Sequence, residues 1–374
     1  MPPTGIGKRF CFQEAHGERC ACADSTGRDS GVGCRSAARR EHFFICQSGE
    51  IETMNAQMLQ VRVARKIPLA LDIALFELVS TDGRALPPFS AGSHVDVLLP
   101  SGVTRQYSLC NDPEESHRYQ IAVLKDPRGR GGSRAMHELV REGDVITISA
   151  PRNHFPLTPG AEETLLIAGG IGITPLLCMA ERLYVLKQPF TLHYCSRSVE
   201  RTAFRERIQQ AGYAAHVQLH LDDGPQQQKL GLPALLRTPR RGVHIYTCGP
   251  KGFMDAVLSN ARSSGWPQDQ LHYEFFSAAP QKLATDGSFE VKLASSGRTI
   301  RVAAEATVTS ALAAQGILVP TSCEQGVCGT CLTRVLEGEP DHRDMYLTPQ
   351  EQSANDQFLP CCSRSRSACL VLDL

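Results

Sequence analysis

The stretch Cys323-Glu-Gln-Gly-Val-Cys328-Gly-Thr-Cys331 restricts this chain more than any other. Thiolates at C-x4-C-x2-C spacing, with further cysteines at 361 and 362, form the ligand pattern of a [2Fe–2S] centre. Such a centre loads a small inorganic core with negative charge, so backbone N–H groups have to turn toward the sulfurs. Gly326 and Gly329 let the loop curl through positive φ and present them. Zinc would use a matched second Cys pair, and none is present. Cys361 and Cys362 are neighbours in a segment that reads as extended. Successive side chains there face opposite ways, so only one can face the cluster. Cys369 opens an apolar terminal stretch, and core packing is expected for it.

A chain of 374 residues has room for two or three domains, and 42% hydrophobic residues can supply a core for each. The formal net charge is zero, which argues against nucleic acid or membrane as a partner. The longest apolar run, 165–180, is interrupted by Gly169, Gly170, Gly172 and Pro175 and is not a membrane span. Fifteen cysteines are many, but no charged start leads into an apolar region as a secretory signal would. Reduced thiols in the cytoplasm are expected rather than a disulfide framework.

Residues 1–53 show no sustained period of 2 or 3.6. Cys20, Cys22, Cys34 and Cys46 lack the pairing of a metal knuckle. A disordered extension or a mis-assigned start is expected there, with Met54 or Met58 as candidate first residues. From 54 to 158 short alternating runs at 60–66, 73–78, 93–99, 106–109 and 120–125 predict a small antiparallel β-barrel, which 144–149 would close. From 159 to 277 apolar strands alternate with helical patterns, which predicts an α/β domain on a parallel sheet. Residues 278–287 have the composition of a linker. A hairpin, a short helix and the cysteine loop fill 288–374 as an α+β domain.

Ala168-Gly169-Gly170-Ile-Gly172-Ile-Thr174-Pro175 follows a strand and opens a helix. Glycines let backbone approach a pyrophosphate there, and the helix N-terminus supplies N–H groups. Tyr246-Thr-Cys248-Gly249-Pro250 is a second such turn at the carboxyl edge of the same sheet, where α/β proteins bind ligands. Cys248 would lie beside a nicotinamide, although burial explains it too. Arg197, ending another strand, can meet a nucleotide phosphate or ribose or simply be solvated, and the same holds for Asp222 and Asp223. In the barrel, Arg105 and Tyr107 share a strand face and Ser108 follows. A cation, a flat ring and a hydroxyl suit a flavin's phosphate, its ring and its N5 edge. Gly131, Gly132 and Ser133, at a helix start after Arg128 and Arg130, form a phosphate cradle.

Together RQYSLCND (105–112), GRGGS (129–133), AGGIGITP (168–175), YTCGP (246–250), YEFF (273–276) and CEQGVCGTC (323–331) resemble the phthalate dioxygenase reductase group of the ferredoxin–NADP reductase superfamily. The resemblance covers about 58–374 and includes the domain order. It implies a flavin barrel, a nucleotide domain and a β-grasp, plant-type ferredoxin domain. By position it implies Arg105, Tyr107, Ser108, Gly131, Gly132 and Ser133 around a flavin, with FMN expected over FAD. Gly169, Gly170, Gly172, Thr174, Arg197, Cys248, Gly249 and Pro250 would take NADH or NADPH, with NADH favoured. Glu274 and Phe276 resemble residues at the flavin edge, and Ser108, Cys248 and Glu274 would position the reactants. Cys361 is chosen as fourth ligand, beside Cys323, Cys328 and Cys331, because its distance from Cys331 is the usual one in the group. A Rieske-type oxygenase is implied as electron acceptor of a monomeric reductase.

The expected chemistry is conversion of a two-electron hydride into single electrons by the cofactors. Glu337, Glu339, Asp341 and Asp344 are expected to give the cluster rim a negative charge that steers a basic partner. The competing readings are a stand-alone flavin or ferric reductase, a reductase for a cytochrome P450, and a non-enzymatic ferredoxin-like carrier.

Overall fold

The structure is a computed structural model that describes residues 58–374, apart from 101, 128, 130, 277–282 and 284. The expectations for residues 1–53 and for Met54, and for Arg128 and Arg130, lie outside the described residues.

The first sheet is built from β1 (Met58–Ala70), β2 (Ile73–Ser80), β3 (Ser93–Leu98), β4 (Thr104–Ser108), β5 (Tyr119–Leu124), β6 (Val145–Ser149) and β7 (Arg152–Asn153), with one helix, α1 (Gly132–Leu139). Strand order is β4-β3-β6-β1-β2-β5, with β7 on β3, and the pairings are antiparallel. Alternation sends Val61, Val63, Val95, Val97 and Ile148 inward, all fully buried. Each such side chain contributes about 1.5–3 kcal/mol of burial. The segment expected to close the cylinder does not do so, because β6 inserts between β3 and β1. Closure falls where Leu109, just past β4, bridges Ile121 on β5. The strand carrying Arg105, Tyr107 and Ser108 therefore lies at the seam, beside the α1 segment.

The second sheet comprises β8 (Glu163–Gly169), β9 (Phe190–Ser196), β10 (Val217–Leu221), β11 (Val243–Cys248) and β12 (Leu271–Glu274), all parallel in the order β10-β9-β8-β11-β12. Helices α2 (Ile173–Val185), α3 (Arg205–Gln210), α4 (Leu232–Leu235) and α5 (Lys251–Ser263) connect the strands. β8 is buried along nearly its whole length, which is why it reads as an unbroken apolar run. Between β8 and β11 the order reverses direction. The crevice at the carboxyl ends of these two strands is the switch point where such sheets bind ligands.

The remainder has β13 (Phe289–Leu293), β14 (Thr299–Val302), helix α6 (Val308–Ala313), β15 (Thr333–Glu337), β16 (Pro340–Asp341), helix α7 (Pro349–Ala354), β17 (Gln357–Phe358), β18 (Arg364–Ser365) and β19 (Cys369–Leu372), with β16 and β18 paired apart as a two-stranded ribbon beside a third sheet. The order β14-β13-β19-β15-β17 is mixed, with β13 and β19 parallel, a β-grasp arrangement. α6 packs Val308 and Leu312 onto it. Both helices start from reciprocal caps, Thr307 with Ser310 and Thr348 with Glu351, each cap stabilising its helix by about 1 kcal/mol. Cys369 is not a core residue. Alternation turns Leu370 and Leu372 inward and leaves Cys369 half-buried on the other face. Asp286, just ahead of β13, is clasped by Arg343, with Nη1 donating to its Oδ2 at 2.8 Å; the expected linker 278–287 lies largely outside the described residues.

Candidate functional site

The three sheets converge on one junction. Ser108 Oγ, at the end of β4, donates to Glu274 Oε2, at the end of β12, over 3.4 Å. Phe275, next in the chain, is buried with Met254 and Leu258, and Val327 of the cysteine loop packs against that cluster. From the other side, Ser322 Oγ donates to Asp96 Oδ1 on β3 over 2.8 Å. Barrel, parallel sheet and cysteine loop thus touch one another pairwise.

The loop between β14 and β15 curls as its glycines require. Gly326 and Gly329 both have φ of +72°. A Cβ at Gly326 would come within 2.4 Å of Cys362 Sγ, and one at Gly329 within 2.3 Å of the Tyr346 ring. Gln325 N–H donates to Cys323 Sγ at 3.3 Å, the inward-turned amide that a thiolate-rich centre needs. The thiols lie in two pairs, Cys323 with Cys328 and Cys331 with Cys361, and Cys361 also reaches Cys323. All four are buried. Cys362 turns instead to the Leu359 carbonyl and the Ser363 hydroxyl. The neighbouring Cys323 thiol and burial push Cys328 well up, and the Cys361 thiol and burial push Cys331 up likewise. Four thiolates can therefore share this spot only around a cationic core. Among the described residues no three His, Cys, Asp or Glu side chains converge to hold a single ion. Two pairs of thiols suit a binuclear iron centre, and Cys323, Cys328, Cys331 and Cys361 are the residues that would hold it.

At the barrel seam, Gly131 has φ of +88° and caps α1, whose first turn has no acidic residue. A Cβ on Gly132 would meet Arg105 Cγ and Nε at 2.7 Å, so the Arg105 side chain lies directly over the helix start. Guanidinium and helix N-terminus together make an anion cradle. Ser133 Oγ is occupied locally, accepting from Asp126 N–H at 3.0 Å. Tyr107 is half-buried beside Arg105, and burial raises its hydroxyl well above its usual range. Glu274 keeps some exposure, but the crowding around it dominates. Burial pushes its carboxyl up to about 8, so it is largely neutral at pH 7. A neutral acid with a hydroxyl against it at the seam suits a flavin that gains negative charge on reduction. Phe276 follows at 38% exposure, open to cover a ring.

The two glycine turns of the parallel sheet interlock. A Cβ on Gly172 would lie 2.3 Å from the Cys248 carbonyl oxygen, and one on Gly249 would lie 3.0 Å from Gly169 Cα. Gly170, at φ of +54°, faces open space instead. That opening, between Gly170 and the Cys248-Gly249-Pro250 turn, sits at the switch point. Thr174 does not offer its hydroxyl there, since it donates to the Ile171 carbonyl at 3.1 Å and is buried. The Cys248 thiol is also fully buried, with burial raising it far above its usual range. Arg197, Asp222 and Asp223 are exposed at the ends of β9 and β10.

The expected acidic rim is much reduced. Asp344 is buried, accepting from Leu347 N–H at 2.8 Å and Tyr346 N–H at 3.3 Å. Asp341 pairs with Arg343 and Glu339 with Arg366, which leaves Glu337 exposed without a role in either pair. The sequence shows the charges but not the arginines that fold back onto them. Asp96, which accepts from Ser322 beside the cysteine loop, and Arg152, His94 and His154, grouped around it, also went unread, because polar residues on an alternating strand look like an ordinary solvated face.

Fold and site together define an iron–sulfur flavoprotein oxidoreductase that takes electrons from a pyridine nucleotide. Known proteins agree with this. Residues 291–366 match the 2Fe-2S iron-sulfur cluster binding domain, and residues 146–271 match the N-terminal domain of the dimethylamine monooxygenase subunit DmmA-like family. Vanillate O-demethylase oxidoreductase of Pseudomonas sp. strain HR199 is 55% identical over 85% of this chain and 100% of its own length. Its Pseudomonas putida counterpart is 53% identical with the same coverage. The structure of phthalate dioxygenase reductase, described as modular for electron transfer from pyridine nucleotides to [2Fe–2S], matches with a TM-score of 0.67 at 39% identity, over 85% of this chain and 98% of that one. The chain belongs to this family of oxygenase reductases.

Proposed function

We propose that this protein is the NADH-dependent reductase of a Rieske-type O-demethylase acting on a methoxylated aromatic acid, working as a cytoplasmic monomer. The observation that supports it is the pairwise meeting of barrel, parallel sheet and cysteine loop at Ser108–Glu274, Phe275–Val327 and Asp96–Ser322. The higher identity to vanillate O-demethylase oxidoreductases, 55% against 39% for phthalate dioxygenase reductase, supports the demethylase as partner. The boundaries that go with this reading are a flavin barrel at 54–158, a nucleotide domain at 159–277, a linker at 278–287 and a ferredoxin domain at 288–374.

When bound, the flavin accepts two electrons as hydride and the cluster carries one electron at a time. The chain's residues orient and insulate. Arg105, with Gly131, Gly132 and the α1 N-terminus, anchors the flavin phosphate, the single phosphate of FMN. Tyr107 and Phe276 lie along the ring, and Ser108 and the neutral Glu274 carboxyl sit at the edge that receives hydride. Gly169, Gly170, Gly172, Gly249 and Pro250 shape the nucleotide crevice, and Arg197 stands at its rim. Cys248 supports that crevice from beneath, through its backbone. Cys323, Cys328, Cys331 and Cys361 hold the cluster.

No helix among the described residues is long and apolar enough to cross a membrane. The test is reconstitution with purified oxygenase components. Vanillate demethylase should turn over with NADH and this protein, and phthalate dioxygenase should turn over poorly. Reduction of small acceptors without any support of an oxygenase would favour the stand-alone reductase instead.

A further inference from the structure

β3 and β4 are adjacent antiparallel strands, with His94 opposite Ser108 and Asp96 opposite Gln106. β4 carries the flavin-side residues Arg105, Tyr107 and Ser108. β3 carries a grip on the cysteine loop. Asp96 is buried and its carboxylate is shared: one oxygen pairs with Arg152, and the other accepts from Ser322 Oγ at 2.8 Å. Ser322 is itself buried and directly precedes Cys323. A second hold lies further along the loop. The Tyr346 ring fills the space over Gly329, and its edge meets His154 with centroids 6.1 Å apart. His154 in turn lies 5.4 Å from His94 on β3. One ladder of two strands therefore carries the flavin cradle on one strand and grips the cluster loop at Ser322 from the other, while His154, beside His94, meets the Tyr346 ring that lies over Gly329.

We infer that Asp96 is a positioning residue which, through Ser322, fixes the cluster loop against the flavin-bearing strand and so sets the rate of one-electron transfer between the two cofactors. This rests on the flavin-to-cluster reading above. With both cofactors bound, hydride would bring two electrons and a proton to the flavin, and a first transfer across the junction would pass one electron to the oxidised cluster. The second would follow once a one-electron acceptor, the oxygenase partner, has reoxidised the cluster, and the flavin proton would then leave to solvent. With NADH alone, the first of these transfers is the one read. Asp96 touches neither a thiol ligand nor the nucleotide crevice, so its loss acts on distance rather than on cofactor binding.

The experiment is anaerobic stopped-flow of holoprotein mixed with NADH, in wild type, Ser322→Ala, Asp96→Ala and the double variant. Flavin bleaching and cluster bleaching are read as separate phases, and only molecules carrying both cofactors contribute to the second. Both single variants should keep the flavin phase within about twofold and slow the cluster phase by roughly tenfold or more. The double variant should be no slower than the worse single one, since both changes cut the same link. Hydrogen exchange of holoprotein should speed up at 322–331 and stay unchanged in the parallel sheet. A wild-type cluster phase in Ser322→Ala, or equal slowing of both phases, overturns the inference. A wild-type protein with no cluster phase would instead overturn the electron-transfer reading itself.

Discussion

Cys361 and Cys362 differ in consequence although they are adjacent in the chain. Cys361 reaches Cys331 and Cys323, while Cys362 turns toward the Leu359 carbonyl. Cys361→Ser should therefore lose iron and inorganic sulfide, and Cys362→Ser should retain both, as a colorimetric count would read. From the sequence the choice rested on a family spacing, and the expected extended segment is instead a turn, with Cys362 and Ser363 N–H both on the Leu359 carbonyl, so strand alternation does not decide it. Glu274 offers a pH test. Its carboxyl is held up to about 8 by burial and is neutral below that. Ionisation above this value puts a negative charge beside a ring that must itself accept negative charge. Flavin reduction by NADH should slow as pH rises through about 8, and Glu274→Gln should flatten that limb. Nothing in the sequence indicates such a shift, since it comes from residues far apart in the chain, Ser108 and Cys248, lying against one carboxyl.

Among the elements, the two glycine turns were legible because their residue types match what the backbone must do. Gly172 has the Cys248 carbonyl against it, so Gly172→Ala should force the turns apart and destabilise the fold. Gly170 has open space at a positive φ. Gly170→Ala should cost about 1 kcal/mol of stability yet raise the NADH KM severalfold, because the methyl enters the crevice. Titration of NADH against each purified variant separates the two outcomes. The pairing of the barrel strands was less legible. Periodicity located β6 but could not show that it inserts between β3 and β1, since strand order depends on distant partners. The short strands β15 to β18, after the cysteine loop, carry too few alternating residues to be read from their sequence.

Across the whole molecule, Asp286, just ahead of β13, is tied to the ferredoxin domain through Arg343. The Arg343 hydrogen bond holds its carboxyl down at about 2, below the usual aspartate range near 4. A depressed acid contributes stability that is fully present above its unfolded value and is lost as pH falls from about 4 through about 2. Asp286→Asn should lower the melting temperature by several degrees at neutral pH, on the order of 1 kcal/mol or more, and converge with wild type in acid. Calorimetry at both pH values checks this.

The central claim is that a pyridine nucleotide, a flavin and an iron–sulfur cluster share one junction in this chain. Anaerobic titration of the purified protein with NADH, followed by absorbance and electron paramagnetic resonance, tests it most directly. The expected result is loss of flavin colour together with the signal of a reduced [2Fe–2S] centre. A colourless protein, or a flavin that bleaches while no cluster signal ever develops, would contradict it.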